Sequence, residues 1–182
     1  MKFFQELTKD YLAYTGEVIT AGGAKDGVAQ TGEIIDRFGT YTDDDGYEVQ
    51  FNLCNGKFVV PATATLADTE TATYDLYLQT SDVSDFSSDV NYVEADGDLV
   101  AAVTTAGTSQ LVLTGKTGGT TEKGVLNLNV NMNGCKRYVR LVIKVTLSAA
   151  STDTAVMAGV AVLGESQNNV LDSMDIPGVV AE

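Results

Sequence analysis

Apolar and polar residues alternate with a period of two along most of this chain, which predicts strands. Val49, Phe51 and Leu53 alternate with Glu48, Gln50 and Asn52. Asn55-Gly56 follows, a dipeptide suited to a two-residue hairpin turn. Phe58, Val60, Ala62, Ala64 and Leu66 then share a face, with Pro61, Thr63 and Thr65 opposite. Pro61 has no N–H for a ladder, so it predicts an edge or a bulge there. Ala72, Tyr74, Leu76 and Leu78 form the next strand, 99–103 and 110–114 are shorter candidates, and Leu126, Leu128 and Val130 alternate with asparagines. A second hairpin signal, Asn133-Gly134, precedes the clearest alternation, Val139, Leu141, Ile143, Val145 and Leu147 against Tyr138, Arg140, Val142, Lys144 and Thr146. Val156 to Leu163 is apolar at nearly every position. It predicts a central strand covered on both faces, or one at a subunit interface.

About eight strands in this span predict an all-β fold, a two-sheet antiparallel β-sandwich of jelly-roll type. The two ends read differently. Phe3, Phe4, Leu7, Tyr11 and Tyr14 fall near helical spacing, so an N-terminal arm or short helix is expected, joined by the Gly22-Gly23 region. The expected organisation is therefore an arm and linker over 1–26, a sandwich over 27–164 and a tail over 165–182. The tail still carries Val170, Leu171, Met174, Ile176, Val179 and Val180, which can anchor it to a surface.

Composition narrows the chemistry. Thr and Val are the commonest residues, both β-branched. The 182-residue chain contains no His, so a Ser-His-Asp triad, a Cys-His dyad and a His-bearing zinc site are excluded. Eleven Lys and Arg against 25 Asp and Glu give a net charge of −14, which disfavours nucleic acid and anionic membrane surfaces as partners. No stretch approaches the ~20 apolar residues of a membrane-spanning helix. Gln5 and Glu6 interrupt the opening residues where a secretory leader needs an apolar run, so none is expected. Cys54 and Cys135 form no metal-type spacing; a disulfide between them stays open from the sequence, and two buried thiols is the preferred reading.

Three constellations invite a chemical reading. Asp43-Asp44-Asp45-Gly46 invites a calcium loop, but Tyr41 and Asn52 stand where that loop needs its first and last carboxylates. Gly115-Lys116-Thr117 resembles the end of a phosphate loop, yet Gln110 replaces the required glycine and a strand follows. The carboxylates between Asp82 and Asp98 read as a solvated loop, and no pair among them marks a common cleft. Lys136, Arg137, Arg140 and Lys144 form the main basic cluster, placed to meet neighbouring or partner carboxylates. No catalytic group or cofactor site is expected, and the chain is read as a non-enzyme.

Three stretches carry a family resemblance. They are Gly27 to Arg37 (GVAQTGEIIDR), Ala64 to Thr71 leading into Leu76 to Asp82, and the run from Gly118 through Arg137-Tyr138-Val139-Arg140 to Gly164. Together they resemble the head decoration, or cement, proteins of tailed bacteriophages over roughly 27–164. The resemblance implies a protein on the outer surface of the virion capsid, made in the host cytoplasm. It would clamp subunits of the major capsid protein and be a homo-oligomer, with a trimer favoured over a dimer. Contact candidates are Phe3, Phe4, Leu7, Tyr11, Tyr14, Arg137, Arg140, Ile176 and Val179. Two rival readings are a virion-surface adhesive or carbohydrate-binding sandwich, and an enzyme, for which no nucleophile–base pair stands out.

Overall fold

A computed structural model describes residues 8–42, 46–94, 96–103 and 109–165. Eleven strands run β1 (Thr8–Thr20), β2 (Ala29–Asp36), β3 (Phe38–Thr42), β4 (Glu48–Leu66), β5 (Thr71–Ser81), β6 (Asn91–Val93), β7 (Leu99–Val100), β8 (Ser109–Thr114), β9 (Thr120–Asn131), β10 (Tyr138–Leu147) and β11 (Thr154–Glu165). All pairings are antiparallel. One sheet has the order β1-β11-β4, with β9 and β3 sharing the far edge of β4. The other has the order β2-β10-β5, with β8 and the β6-β7 ribbon sharing the far edge of β5.

The pairs nest. Strand β5 pairs with β8, β4 with β9, β2 with β10 and β1 with β11. This is one long antiparallel ribbon reversed between β5 and β8 and rolled up, so that β10 meets β5 and β11 meets β4. That connectivity is a jelly roll, the topology expected for the sandwich, with β3 and β6-β7 added on; alternation predicts the strands but not their order.

The core lies between the inner faces. Ile19, Phe58, Val60, Leu66, Leu126, Leu128, Met157 and Leu163 from the first sheet meet Ile35, Tyr74, Leu76, Leu78, Leu141, Ile143 and Val145 from the second, all buried. Each set has the period of two read in the sequence. The Tyr74 hydroxyl donates to the Thr63 carbonyl at 3.0 Å, which satisfies the one polar atom of a fully buried ring.

Several expectations are corrected. Residues 8–15 belong to edge strand β1 and are not helical; its ladder to β11 runs from Thr8↔Gly164 to Thr20↔Thr154 with two irregularities. Pairing with a long apolar strand outweighs the helical spacing of Tyr11 and Tyr14, so β1 is part of the sandwich. Residues 1–7 lie outside the described residues. Asn55-Gly56 makes no hairpin: β4 runs straight through, pairing β3 before this point and β9 after it. Gly56 is there for room, because a Cβ would lie 2.9 Å from Leu163 Cδ2 and 3.1 Å from Phe58 Cε2. Asn133-Gly134 does turn the chain, but it passes from one sheet to the other. Pro61 sits in the middle of a central strand. The ladder to β11 skips from Met157↔Ala62 to Val160↔Val59 around its missing N–H, while Pro61↔Val125 continues on the β9 side.

One close approach sets a test. Gly32 faces the Ala13 carbonyl of β1, and a Cβ there would lie 2.0 Å from that oxygen. Gly32→Ala must push two strand backbones apart. Urea denaturation should show a loss of about 2–3 kcal/mol, whereas Gly27→Ala, where nothing lies within 4 Å but φ is +69°, should cost about 1 kcal/mol through backbone strain alone.

Candidate functional site, the outer face of the β1-β11-β4-β9 sheet

Half of β11 points into the core: Ala155, Met157, Ala161 and Leu163 are buried. The alternate residues point outward and stay open. Val156, Val160 and Val162 are 42, 47 and 41 % exposed. The apolar character of both faces of this strand is therefore explained on one side by the core and on the other by nothing within the described chain. The register extends the patch sideways. Val18 on β1 is paired with Val156, Val59 on β4 with Val160, and Pro61 with Val125 on β9. Val18 and Val125 are the most exposed of the set, at 60 and 54 %.

Charge marks the same face. The outward positions of β4 from 57 to 65, of β9 from 121 to 131 and of β11 from 156 to 164 hold no carboxylate, and their charges are Lys57 and Lys123. The chain as a whole has 25 Asp and Glu. On β11, β4 and β9 this is a contiguous apolar sheet face without carboxylates, while edge strand β1 brings Asp10 into register with Val162; on a strongly acidic protein that is the profile of a contact surface. At one end it runs into an open depression of about 470 Å³ bordered by Asn55, Lys57, Asn129, Asn131 and Val162. Thr8 and Gly164 are paired at this end, so the chain enters β1 and leaves β11 side by side beside the depression.

The proposed contact residues separate into three groups. Phe3, Phe4, Leu7, Ile176 and Val179 lie outside the described residues. Tyr11 lies on β1. Tyr14 is buried, and its hydroxyl donates to Glu17 Oε2 at 2.7 Å, so it serves its own domain. Three members of the basic cluster, Lys136, Arg137 and Arg140, are engaged within the chain. Arg137 pairs with Asp36 (Nη2–Oδ2 2.8 Å), Lys136 with Asp89, and Arg140 Nε donates to Gln79 Oε1 at 2.8 Å while lying 4.2 Å from the Phe86 ring centroid. Burial alone would raise the Asp36 carboxyl, but hydrogen bonds from Arg137 and the Phe38 N–H hold it below the usual range. The pair is solvent-exposed, so its net contribution is small. The 43–45 acidic run is outside the described residues, and Gly115-Lys116-Thr117 is a turn leading into β9, as expected.

A buried arginine escaped the sequence reading. Arg37, 1 % exposed, sits at the β2–β3 corner. Its Nε donates to the Leu53 carbonyl at 2.8 Å, Nη1 to the carbonyls of Cys135 and of Lys136 (3.0 Å), and Nη2 to Asn52 Oδ1 at 3.3 Å. The Asp36-Arg37 dipeptide gives no hint of this, because the acceptors come from two distant segments, Asn52-Leu53 and Cys135-Lys136. Cys54 and Cys135 are both buried free thiols near this guanidinium. Among the described residues no three Cys, Asp or Glu side chains gather as a metal site.

Burial pushes the Cys135 thiol up to about 11, and it also raises the phenols of Tyr74, Tyr77 and Tyr14. These groups favour the neutral form in the fold. Their stabilisation is full below the unfolded values of about 8.5 for Cys and about 10 for Tyr, and it is lost as pH rises through the folded ones. The melting temperature should therefore fall progressively above about pH 8.5. Cys135→Ala should flatten the part of that decline below about pH 11 in circular dichroism melts; an unchanged profile would assign the decline to other groups.

The described residues form a jelly-roll domain with an open apolar face on the β1-β11-β4-β9 sheet. No family model and no curated protein matches the chain. Solved structures do. They include a protein of infectious bursal disease virus strain Gx (TM-score 0.43, 12 % identity, 88 % of this chain and 32 % of that one). A mud crab dicistrovirus protein matches with a TM-score of 0.30 and 9 % identity over 95 % of this chain and 76 % of that one. An adhesin domain of Lys-gingipain from Porphyromonas gingivalis W83 matches with a TM-score of 0.26 and 14 % identity over 87 and 99 % of the two chains. The chain spans about a third of the bursal disease virus chain. The jelly-roll assignment rests on the nested strand pairing.

Proposed function

We propose that this protein is a structural component of a virion, a capsid decoration protein that binds the outer surface of a phage head and bridges major capsid protein subunits. The observation that carries this reading is the open, carboxylate-free valine face of β11, β4 and β9. An apolar sheet face costs solubility unless a protein covers it. The resemblance of residues 27–164 to head decoration proteins supplies the kind of partner. The start of β1 at Thr8 and the end of β11 at Gly164, paired beside the depression at the end of this face, suit a protein whose terminal segments reach across to neighbours. Several copies acting together, with a trimer as the expected unit, convert modest single contacts into durable attachment.

The test is to mix the purified full chain with heads that lack it and to image them by electron cryomicroscopy. Regularly spaced density on the outer surface is expected. Bare heads, together with binding on a glycan array, would replace this reading with the adhesive one.

A further inference from the structure

We propose a second site, beyond the valines at the other end of the same sheet: a cleft in which Asp153 supplies the one carboxylate for a hard, oxygen-ligated cation of the calcium class. Asp153 is 3 % exposed. Its Oδ1 accepts from the Ala67 N–H at 3.0 Å and its backbone carbonyl from the Ala21 N–H at 2.9 Å. Its Oδ2 is buried and has no hydrogen-bond partner. No Lys or Arg among the described residues forms an ion pair with it. A carboxylate withdrawn from water with half its lone pairs unmatched is costly, and interiors meet that cost with a donor or a cation.

Asp153 lines a cleft of about 380 Å³ bordered also by Thr65, Thr120, Thr121 and Thr152 and by the Leu66-Ala67 and Gly118-Gly119 stretches. The Thr120 hydroxyl is already committed, accepting from Lys116 N–H at 3.0 Å and donating to Glu122 Oε1 at 2.8 Å. The Thr65 and Thr121 hydroxyls lie 3.1 Å apart across the β4–β9 pair. No nitrogen or sulfur side chain borders the cleft. Carboxylate, hydroxyl and carbonyl oxygens together select a hard cation over a soft one. A single carboxylate sets a weak affinity, and the net charge of −14 raises the local cation concentration.

The backbone is shaped for the cleft. Gly118 and Gly119 have φ of 89° and 77°. Thr152, a β-branched residue next to Asp153, has φ of 78°, a conformation such residues rarely adopt. The ion would tie together three connections, those holding Ala21, Ala67 and Asp153 itself.

The experiment uses the full chain labelled with ¹⁵N, with Mn²⁺ as a paramagnetic probe and Ca²⁺ as competitor. Mn²⁺ should broaden the amides of Ala67, Gly119 and Thr152 first, and Ca²⁺ should restore them with half-saturation on the order of 10⁻⁴ to 10⁻³ M. Asp153→Asn keeps an oxygen for the Ala67 N–H and should weaken this at least tenfold. If that variant does not fold, Thr121→Val, at an exposed position, should weaken it several-fold. Broadening confined to the exposed carboxylates between Asp82 and Asp98, or an unaltered response in the folded variants, would overturn the proposal. So would no selective broadening at all, which would leave the cleft to water.

Discussion

Arg37→Ala is expected to destabilise the fold by about 3–5 kcal/mol, the largest single-residue effect outside the apolar core. The substitution removes donors to the carbonyls of Leu53, Cys135 and Lys136 and to Asn52 Oδ1, and leaves these acceptors unpaired at a buried corner. It also releases three segments from one another: the β2–β3 corner, the start of β4 and the turn before β10. Arg37→Lys should recover little, because an ammonium cannot reproduce a planar fork that reaches three directions. Urea denaturation monitored by circular dichroism reads both variants. A loss below 1 kcal/mol for Arg37→Ala would show that water replaces the guanidinium without difficulty, and the corner would not be pinned as described.

The second large effect concerns attachment. Val156→Asp combined with Val160→Asp puts two charges in the middle of the open face without touching the core, since both side chains are more than two-fifths exposed. Folding should change by no more than about 1 kcal/mol. Binding to undecorated heads should fall by at least about 100-fold, because carboxylates at the centre of an apolar contact must be desolvated without partners. Thr146→Asp, exposed on a strand of the other sheet, is the control and should bind as wild type. Equal binding by the valine double variant would move the contact elsewhere on the molecule.

Individual residues show how far the chain can be read without its structure. The alternation from Val139 to Leu147 and from Ala72 to Leu78 states which side chains face the core, and every one of them is buried. Alternation works there because a strand imposes its own period whatever its partners are. Signals two residues long fared worse. Asn55-Gly56 has hairpin composition, yet β4 has partners along both edges and its ladder overrules the dipeptide. Pro61 predicts an edge or a bulge, yet it lies in a central strand whose register is unbroken there, which tolerates it by dropping part of one ladder. The contact candidates chosen for charge, Arg137 and Arg140, are occupied by Asp36, Gln79 and Phe86, none of them a sequence neighbour. The open valines were visible as a strand apolar on both faces, but not which face the core would take.

By itself, then, the amino-acid order determined an all-β sandwich, most of its core and a chemistry without histidine, because these follow from local periodicity and composition. The tertiary structure alone decided the nested strand order, the burial of Arg37 and Asp153, and the gathering of Val18, Val125, Val156, Val160 and Val162 on one face. Each of those depends on which distant strands pair and in what register, and the energy that selects the register is spread over many cross-strand contacts, with no short stretch of chain holding it.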